Sequence, residues 1–260
     1  MISFVGAGPG AADLITIRGR DRLAAADVVI WASSLVPEEV LTHARPDATV
    51  HDSAAMTLED VLGVYQASPD ADIVRLHSGD PSIYGAIQEQ IDWCEANGRA
   101  YEIVPGVSSL AAAAAAVGRE LTIPQVSQSV VLTRLAGRTA ASMPERESVR
   151  AFAAHGSTMA VFLSAARPVE LQEELLAGYD ADTPAAVVVR VSWPDEQIVR
   201  TTVGQVADAV KATGAKTTVL VLVGPALAEA PVARSHLYSP DYAHKFRRRS
   251  ASGSTVGRPA

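Results

Sequence analysis

Gly79, Asp80 and Pro81 stand inside the stretch Leu76-His77-Ser78-Gly79-Asp80-Pro81-Ser82-Ile83-Tyr84-Gly85, and their types suit a ligand better than a core. Gly79 lets backbone come close to a bound molecule, Asp80 accepts hydrogen bonds from a hydroxyl or amine, and Pro81 stiffens the turn. The alternative is a connecting loop whose aspartate caps a helix. Other reactive chemistry is sparse. The six histidines are scattered with no pair at metal-ligand spacing on a helix, Gly-x-Ser-x-Gly is absent, and the single cysteine, Cys94, has no local histidine. No protein-bound metal is expected. Asp80 also lacks a neighbouring carboxylate for paired acid–base work on a glycoside. What remains is a site that aligns two substrates, and group transfer from an activated donor needs no protein nucleophile.

The elements that must position this turn follow from periodicity. Residues 71–76 read as a buried strand, and Ile83, Ile87, Ile91 and Cys94 recur after it at helical spacing. In an open α/β sheet, ligands bind outside the carboxyl ends of the strands. Residues 1–5, 28–31 and 101–104 read as further strands, residues 35–41 as a short helix, and residues 57–65 as an amphipathic helix capped by Thr57. After Pro105-Gly106-Val107-Ser108-Ser109, a helix runs from Leu110 through six alanines to Val117. Strand, Gly/Pro turn and helix repeat in that order, which predicts a mostly parallel sheet with helices on both faces.

The segment Gly6-Ala7-Gly8-Pro9-Gly10-Ala11 fits a dinucleotide fingerprint loosely. Two details oppose that reading. Asp13-Leu14-Ile15-Thr16 intervenes before the helix, and the strand at 28–31 ends in Ala32-Ser33-Ser34 with no carboxylate for a ribose.

A boundary is expected near residues 118–124. Residues 129–133, 158–163, 185–191, 198–202 and 217–223 then read as five strands, with helices at 145–154, 168–176 and 203–212. The Trp193-Pro194-Asp195-Glu196 turn is too short for a parallel crossover, so its strands form an antiparallel hairpin and the second sheet is mixed. The expected organisation is two α/β domains, 1–118 and 119–229, and an extension over 230–260 whose end, from 247, is disordered. Residues 135–144 are a lid or a plain surface loop.

Composition narrows the classes. The 260 residues are 48% hydrophobic and carry a net charge of −7, with no basic stripe for nucleic acid. No stretch reaches the roughly 20 apolar residues that span a bilayer, and no leader precedes Ile2, so a soluble cytoplasmic protein without a membrane partner is expected.

Three segments in this order and spacing carry a resemblance: residues 5–16, Gly79-Asp80-Pro81-Ser82-Ile83-Tyr84-Gly85, and Val104-Pro105-Gly106-Val107-Ser108-Ser109. Together they resemble the tetrapyrrole (corrin and porphyrin) methyltransferase family. Glu120-Leu121-Thr122-Ile123-Pro124, residues 127–134, Phe162-Leu163-Ser164 and Ser192-Trp193-Pro194-Asp195-Glu196 are similar to its branch acting on C11 of precorrin-4, metal-free or carrying cobalt. The likeness extends through residues 237–238 and 244–247.

That resemblance implies an active site in the cleft between two domains, a homodimer, S-adenosylmethionine as methyl donor and a corrin precursor as substrate. It further implies that Gly79, Asp80 and Ile83 hold the donor, with Ser108 and Ser109 at its methionine end. Phe162 and Leu163 make a strand-end contact, and Val191 with Gly224, Pro225 and Ala226 sit near the adenine. Leu163 keeps that contact apolar, where the family often has methionine. Gly8, Pro9 and Gly10 then face the tetrapyrrole. An acidic protein needs local donors for a substrate rich in carboxylates, and Arg134, Arg138, Arg190 and His155 are the candidates, with surface ion pairing as their other reading. A methyltransferase for another ring carbon and a non-catalytic tetrapyrrole-binding protein are the alternatives.

Overall fold

The computed structural model describes residues 1–136 and 143–229, together with 235, 237, 239 and 242–246. Arg138 and the expected disordered end from 247 onward lie outside the described residues.

Short runs rich in β-branched residues form β1 (Ile2–Gly6), β2 (Val28–Trp31), β3 (Thr49–Asp52), β4 (Ile73–His77) and β5 (Tyr101–Val104). All pair in parallel, in the order β3-β2-β4-β1-β5. Helices α1 (Ile17–Ala25), α2 (Leu58–Ala67) and α3 (Gln88–Ala96) cover the two faces. Alternation decides which side chain goes where. Val5, Val29, Val74 and Leu76 join Leu23 of α1 in one cluster, while Ile2, Phe4, Ile30 and Ile73 join Val61 and Tyr65 of α2 and Ile91 and Cys94 of α3 in another. Thr57 starts α2 through a reciprocal capping box with Asp60.

The second sheet comprises β6 (Val130–Arg134), β7 (Thr158–Phe162), β8 (Pro184–Val189), β9 (Gln197–Thr202) and β10 (Val219–Val223), in the order β6-β7-β10-β8-β9. β6 and β7 are parallel and every other pair is antiparallel, so the sheet is mixed as expected, and β8 and β9 form the expected hairpin. Val219, Val221 and Val223 point toward α5 (Val149–Ala153), α6 (Pro168–Leu175) and α7 (Val206–Thr213). Leu220 and Leu222 point the other way, toward the alanine helix α4 (Ser109–Val117).

Two elements depart from the sequence reading. The helical spacing that included Ile83 breaks at Tyr84 and Ala86, whose φ values of 56° and 50° are left-handed, so α3 starts only at Gln88. Ile87, Ile91 and Cys94 stay in the core, and Ile83 is freed from it. The alanine helix, read as the close of the first domain, packs Ala113 and Val117 against Ala160, Ala186, Leu220 and Leu222 of the second sheet. Small side chains let the helix lie close to that face, so α4 is joined to one domain by its loop and to the other by its packing.

This packing generates a stability prediction. Ala113 is fully buried and Ala115 exposed on the same helix. Ala113→Leu should destabilise by about 1–3 kcal/mol through overpacking, and Ala115→Leu should stay within about 0.5 kcal/mol of the parent, both read by denaturant unfolding. Equal effects would contradict the placement of α4 on the second sheet.

Candidate active site

The centre of the site is a meeting of three loops at the carboxyl ends of adjacent strands. β4, β1 and β5 lie side by side; β1 ends on Gly6, and Gly79 and Gly106 follow β4 and β5. A Cβ on Gly106 would lie 2.0 Å from the Gly79 carbonyl oxygen, and one on Gly6 would lie 2.4 Å from Gly106 Cα. No side chain fits either position. Gly79 has φ +67°; its N–H donates to Gly8 O at 2.7 Å, and Gly8 N–H donates back to Gly79 O at 3.3 Å.

Asp80 fastens this junction. Its Oδ2 accepts from Gly106 N–H at 2.8 Å, and its Oδ1 accepts from Ser82 N–H at 2.9 Å and from the Ser82 hydroxyl. Partial burial opposes ionisation, but the hydrogen bonds from Ser82 and Gly106 outweigh it and hold the carboxyl below its ordinary range. The carboxylate is charged at neutral pH. It does not cap α3, which begins eight residues later, so the helix-cap reading falls; it ties the Gly79 turn to the Pro105–Gly106 turn. Ser108 caps α4, accepting from Leu110 N–H at 3.3 Å, so the first turn of that helix opens at the same place. Beneath the loop His77 is buried; desolvation first, and then the Arg75 charge, push its imidazole down to about 3, and it is neutral.

The second sheet supplies the opposite wall through strand direction. Val219 pairs with Val189 and Val221 with Val161, so the carboxyl ends of β7 and β8 share one edge with the amino end of β10. Phe162 and Leu163, Val188 and Val191, and Lys216 to Leu220 therefore converge. The Tyr84 ring meets Phe162 across the cleft, centroids 5.3 Å apart. Backbone strain gathers here: Tyr84, Ala86, Leu163, Arg190, Ser192 and Thr218 are six of the seven non-glycine residues with positive φ among those described. Such conformations cost about 1 kcal/mol or more each and are kept where surrounding contacts over-determine them.

The cavity between the two walls has a volume of about 330 Å³. Of the residues singled out from sequence, Pro9, Gly79, Asp80, Ile83, Ser108, Ser109, Phe162, Leu163 and Val191 line it together. Gly8 and Gly10 stand just behind Pro9, the first bonded to Gly79 and the second against Trp193. Gly224, Pro225 and Ala226 are not in the lining. They follow the far end of β10, where Gly224 N–H donates to Pro184 O at 3.0 Å, because the antiparallel strand carries its carboxyl end away from the cleft.

The cationic candidates divide as well. Arg134 ends β6 opposite Phe162 and sits near enough to Tyr84 for its charge to offset part of the rise that burial gives the phenol. Arg190 pairs with Asp195 and lies over the Trp193 ring, 5.7 Å from its centroid. His155 precedes β7, at the edge opposite the cleft, and is exposed. The lining residues that sequence reasoning missed include Leu35, Tyr84, Ala165, Ala166, Val188, Lys216, Thr217 and Thr218. Lys216 and Asp80 are the two charged side chains in the lining. The Lys216-Thr217-Thr218 run before an apolar strand was legible, but its place depended on the direction of β10.

Chemically this is an enclosure of mainly apolar side chains with Asp80, Lys216 and a few hydroxyls at its edges, suited to holding and orienting an organic molecule. Among the described residues no group of three or more His, Cys, Asp or Glu is arranged to hold a metal ion.

The chain matches the model of the Tetrapyrrole (Corrin/Porphyrin) Methylases over residues 1–207. A precorrin-4 C(11)-methyltransferase of Sinorhizobium sp. is 47% identical over 250 residues, covering 95% of this chain and 98% of that protein. A solved structure of a cobalt precorrin-4 methyltransferase, a cobalamin biosynthetic enzyme, is 43% identical with a TM-score of 0.83, covering 87% of this chain and 95% of the other. A uroporphyrin-III C-methyltransferase of Thermus thermophilus, complexed with S-adenosyl homocysteine, is 28% identical with a TM-score of 0.72, covering 87% and 98%. With the match covering the whole first sheet and four of the five strands of the second, this chain belongs to the tetrapyrrole (corrin/porphyrin) methylase family.

Proposed function

We propose that this protein transfers a methyl group from S-adenosylmethionine to C11 of precorrin-4 or cobalt-precorrin-4 in cobalamin biosynthesis, yielding the C11-methylated macrocycle and S-adenosylhomocysteine. The observation that carries the reading is the junction of the Gly79-Asp80 and Pro105-Gly106 turns with the open edge of the second sheet, in a chain whose relatives at 47% and 43% identity carry those two names. Those two relatives differ in whether the macrocycle holds cobalt, and the metal belongs to the substrate. A homodimer acting away from membranes completes the proposal; among the described residues no helix is long and apolar enough to cross a bilayer.

Size divides the work of the site. At about 330 Å³ the cavity is at the small end of organic-ligand pockets, which run from about 300 to 1,000 Å³, so it suits the donor and leaves the far larger macrocycle across the mouth. Leu35, Tyr84 and Leu163 are 44%, 49% and 70% exposed there and give an apolar rim to a flat ring. S-adenosylmethionine supplies an electrophilic sulfonium methyl. The chain supplies alignment: Asp80 holds the Gly79 and Gly106 backbones fixed, the N-terminus of α4 brings Ser108 and Ser109 to the lining, and Lys216 stands at the rim for a carboxylate. No covalent enzyme intermediate is involved.

Two experiments test this reading. Labelled methyl transfer to precorrin-4 and cobalt-precorrin-4 in parallel anaerobic reactions should place label at C11 by NMR. S-adenosylhomocysteine binding without transfer to either would redirect the search to another ring carbon. Asp80→Asn puts an amide donor against either Gly106 N–H or the Ser82 donors, and should weaken S-adenosylhomocysteine binding about 10- to 100-fold by calorimetry. Because folding depresses the Asp80 pKa, its contribution is complete above the ordinary carboxylate range and is lost as pH falls through the lowered value. Wild-type stability should thus be level above about pH 5 and lose a component in stronger acid that the Asn variant lacks, read by denaturant unfolding across pH.

A further inference from the structure

We infer that the Ser192-Trp193 turn of the second domain is the positioning element that sets the Pro9 wall of the cavity, and through it the affinity for the macrocycle. The inference rests on the proposed function and goes beyond it by giving a role to a turn outside the cavity lining. Trp193 Nε1–H donates to Pro9 O at 3.1 Å, and Ala11 N–H donates to Ser192 Oγ at 3.0 Å. These two bonds join residues 184 and 181 positions apart in the chain. Between them, a Cβ added to Gly10 would lie 2.3 Å from Trp193 Cδ1 and 2.9 Å from Ser192 Oγ, so the indole lies directly against the loop backbone.

The turn is itself braced. Ser192 N–H donates to Glu196 Oε2 at 2.7 Å, Trp193 N–H donates to Arg190 O at 2.9 Å, and Asp195 holds Arg190 with its guanidinium near the indole. Arg190 and Ser192 have φ values of 46° and 64°, so the chain accepts backbone strain to present Trp193 this way. Arg190, an expected partner of substrate carboxylates, is here ion-paired to Asp195 with its guanidinium beside the indole.

The loop is pinned at two places: Gly8 at the Gly79 floor of the donor cavity, and Pro9 to Ala11, the part that the family resemblance turns toward the macrocycle, at the second domain. Loosening the second attachment leaves the first in place. Affinity for the macrocycle and affinity for the donor are therefore separable, which a merely structural contact between domains would not provide.

The test is a set of three variants measured for kinetics and for S-adenosylhomocysteine binding. Trp193→Phe keeps an aromatic ring and removes the N–H to Pro9; it should raise the macrocycle KM about tenfold while kcat and the S-adenosylhomocysteine Kd stay within about twofold. Gly10→Ala should raise that KM further, and adding Trp193→Leu to it should bring the KM back toward the Trp193→Phe level and no lower, because space returns to the loop while the N–H to Pro9 stays absent. An unchanged KM in Trp193→Phe, an equal loss of S-adenosylhomocysteine affinity, or no recovery in the double variant would overturn the inference. If the wild-type protein methylates neither macrocycle, the proposed function fails and this inference fails with it; if it does and the variants match it, the inference alone fails.

Discussion

Backbone crowding at Gly6, Gly79 and Gly106 is the constraint on which the rest of the site depends. Three neighbouring parallel strands end there, and their loops approach to distances at which a single added carbon would overlap a carbonyl oxygen or an α-carbon. Loops in such contact cannot shift independently. Asp80 completes the arrangement by holding an amide from the next turn, with burial and hydrogen bonding opposed and hydrogen bonding prevailing. The result is a rigid floor made of main chain, which suits a ligand held by shape and amide dipoles.

The two domains reach the same cleft by different strand arithmetic. In the parallel sheet, every strand delivers its carboxyl end to one edge, so each loop after a strand is available to the site. In the mixed sheet, β7 and β8 deliver carboxyl ends and β10 delivers its amino end. α4 couples the two. Its first turn belongs to the floor of the site and its buried face to the second sheet, so a movement between domains would strain either the cap at Ser108 or the packing of Ala113. The Ser192-Trp193 contact adds a second connection on the other side of the cavity.

Charge is distributed sparingly. A protein with a net charge of −7 that handles a polycarboxylate has to place its cations locally, and of those near the cleft Arg190 is held by Asp195. Lys216 stands at the cavity rim and Arg134 near Tyr84. Asp80, although it lines the cavity, already shares both oxygens with the protein's own donors, so it organises the floor more than it charges the site.

The sequence by itself determined the class of fold, the mixed character of the second sheet and the motifs of the site. Those follow from local rules: side-chain alternation, the brevity of the turn at Trp193, and the few residue types that tolerate a tight turn. It also singled out Gly79 and Asp80, because they stand just past the end of a legible strand, whereas Ser108 and Phe162 entered through the family resemblance. Tertiary structure decided what depends on direction and distance. The amino end of β10, and not Gly224 beyond its carboxyl end, faces the cleft because the strand is antiparallel to both neighbours, and pairing sense is a property of the sheet. The alanine helix sits on the second sheet because that face had space for close approach, which no periodicity records. Arg190, Trp193 and Asp195 are neighbours in one turn, but Trp193 meets Pro9 only once two domains far apart in the chain are brought within hydrogen-bond reach.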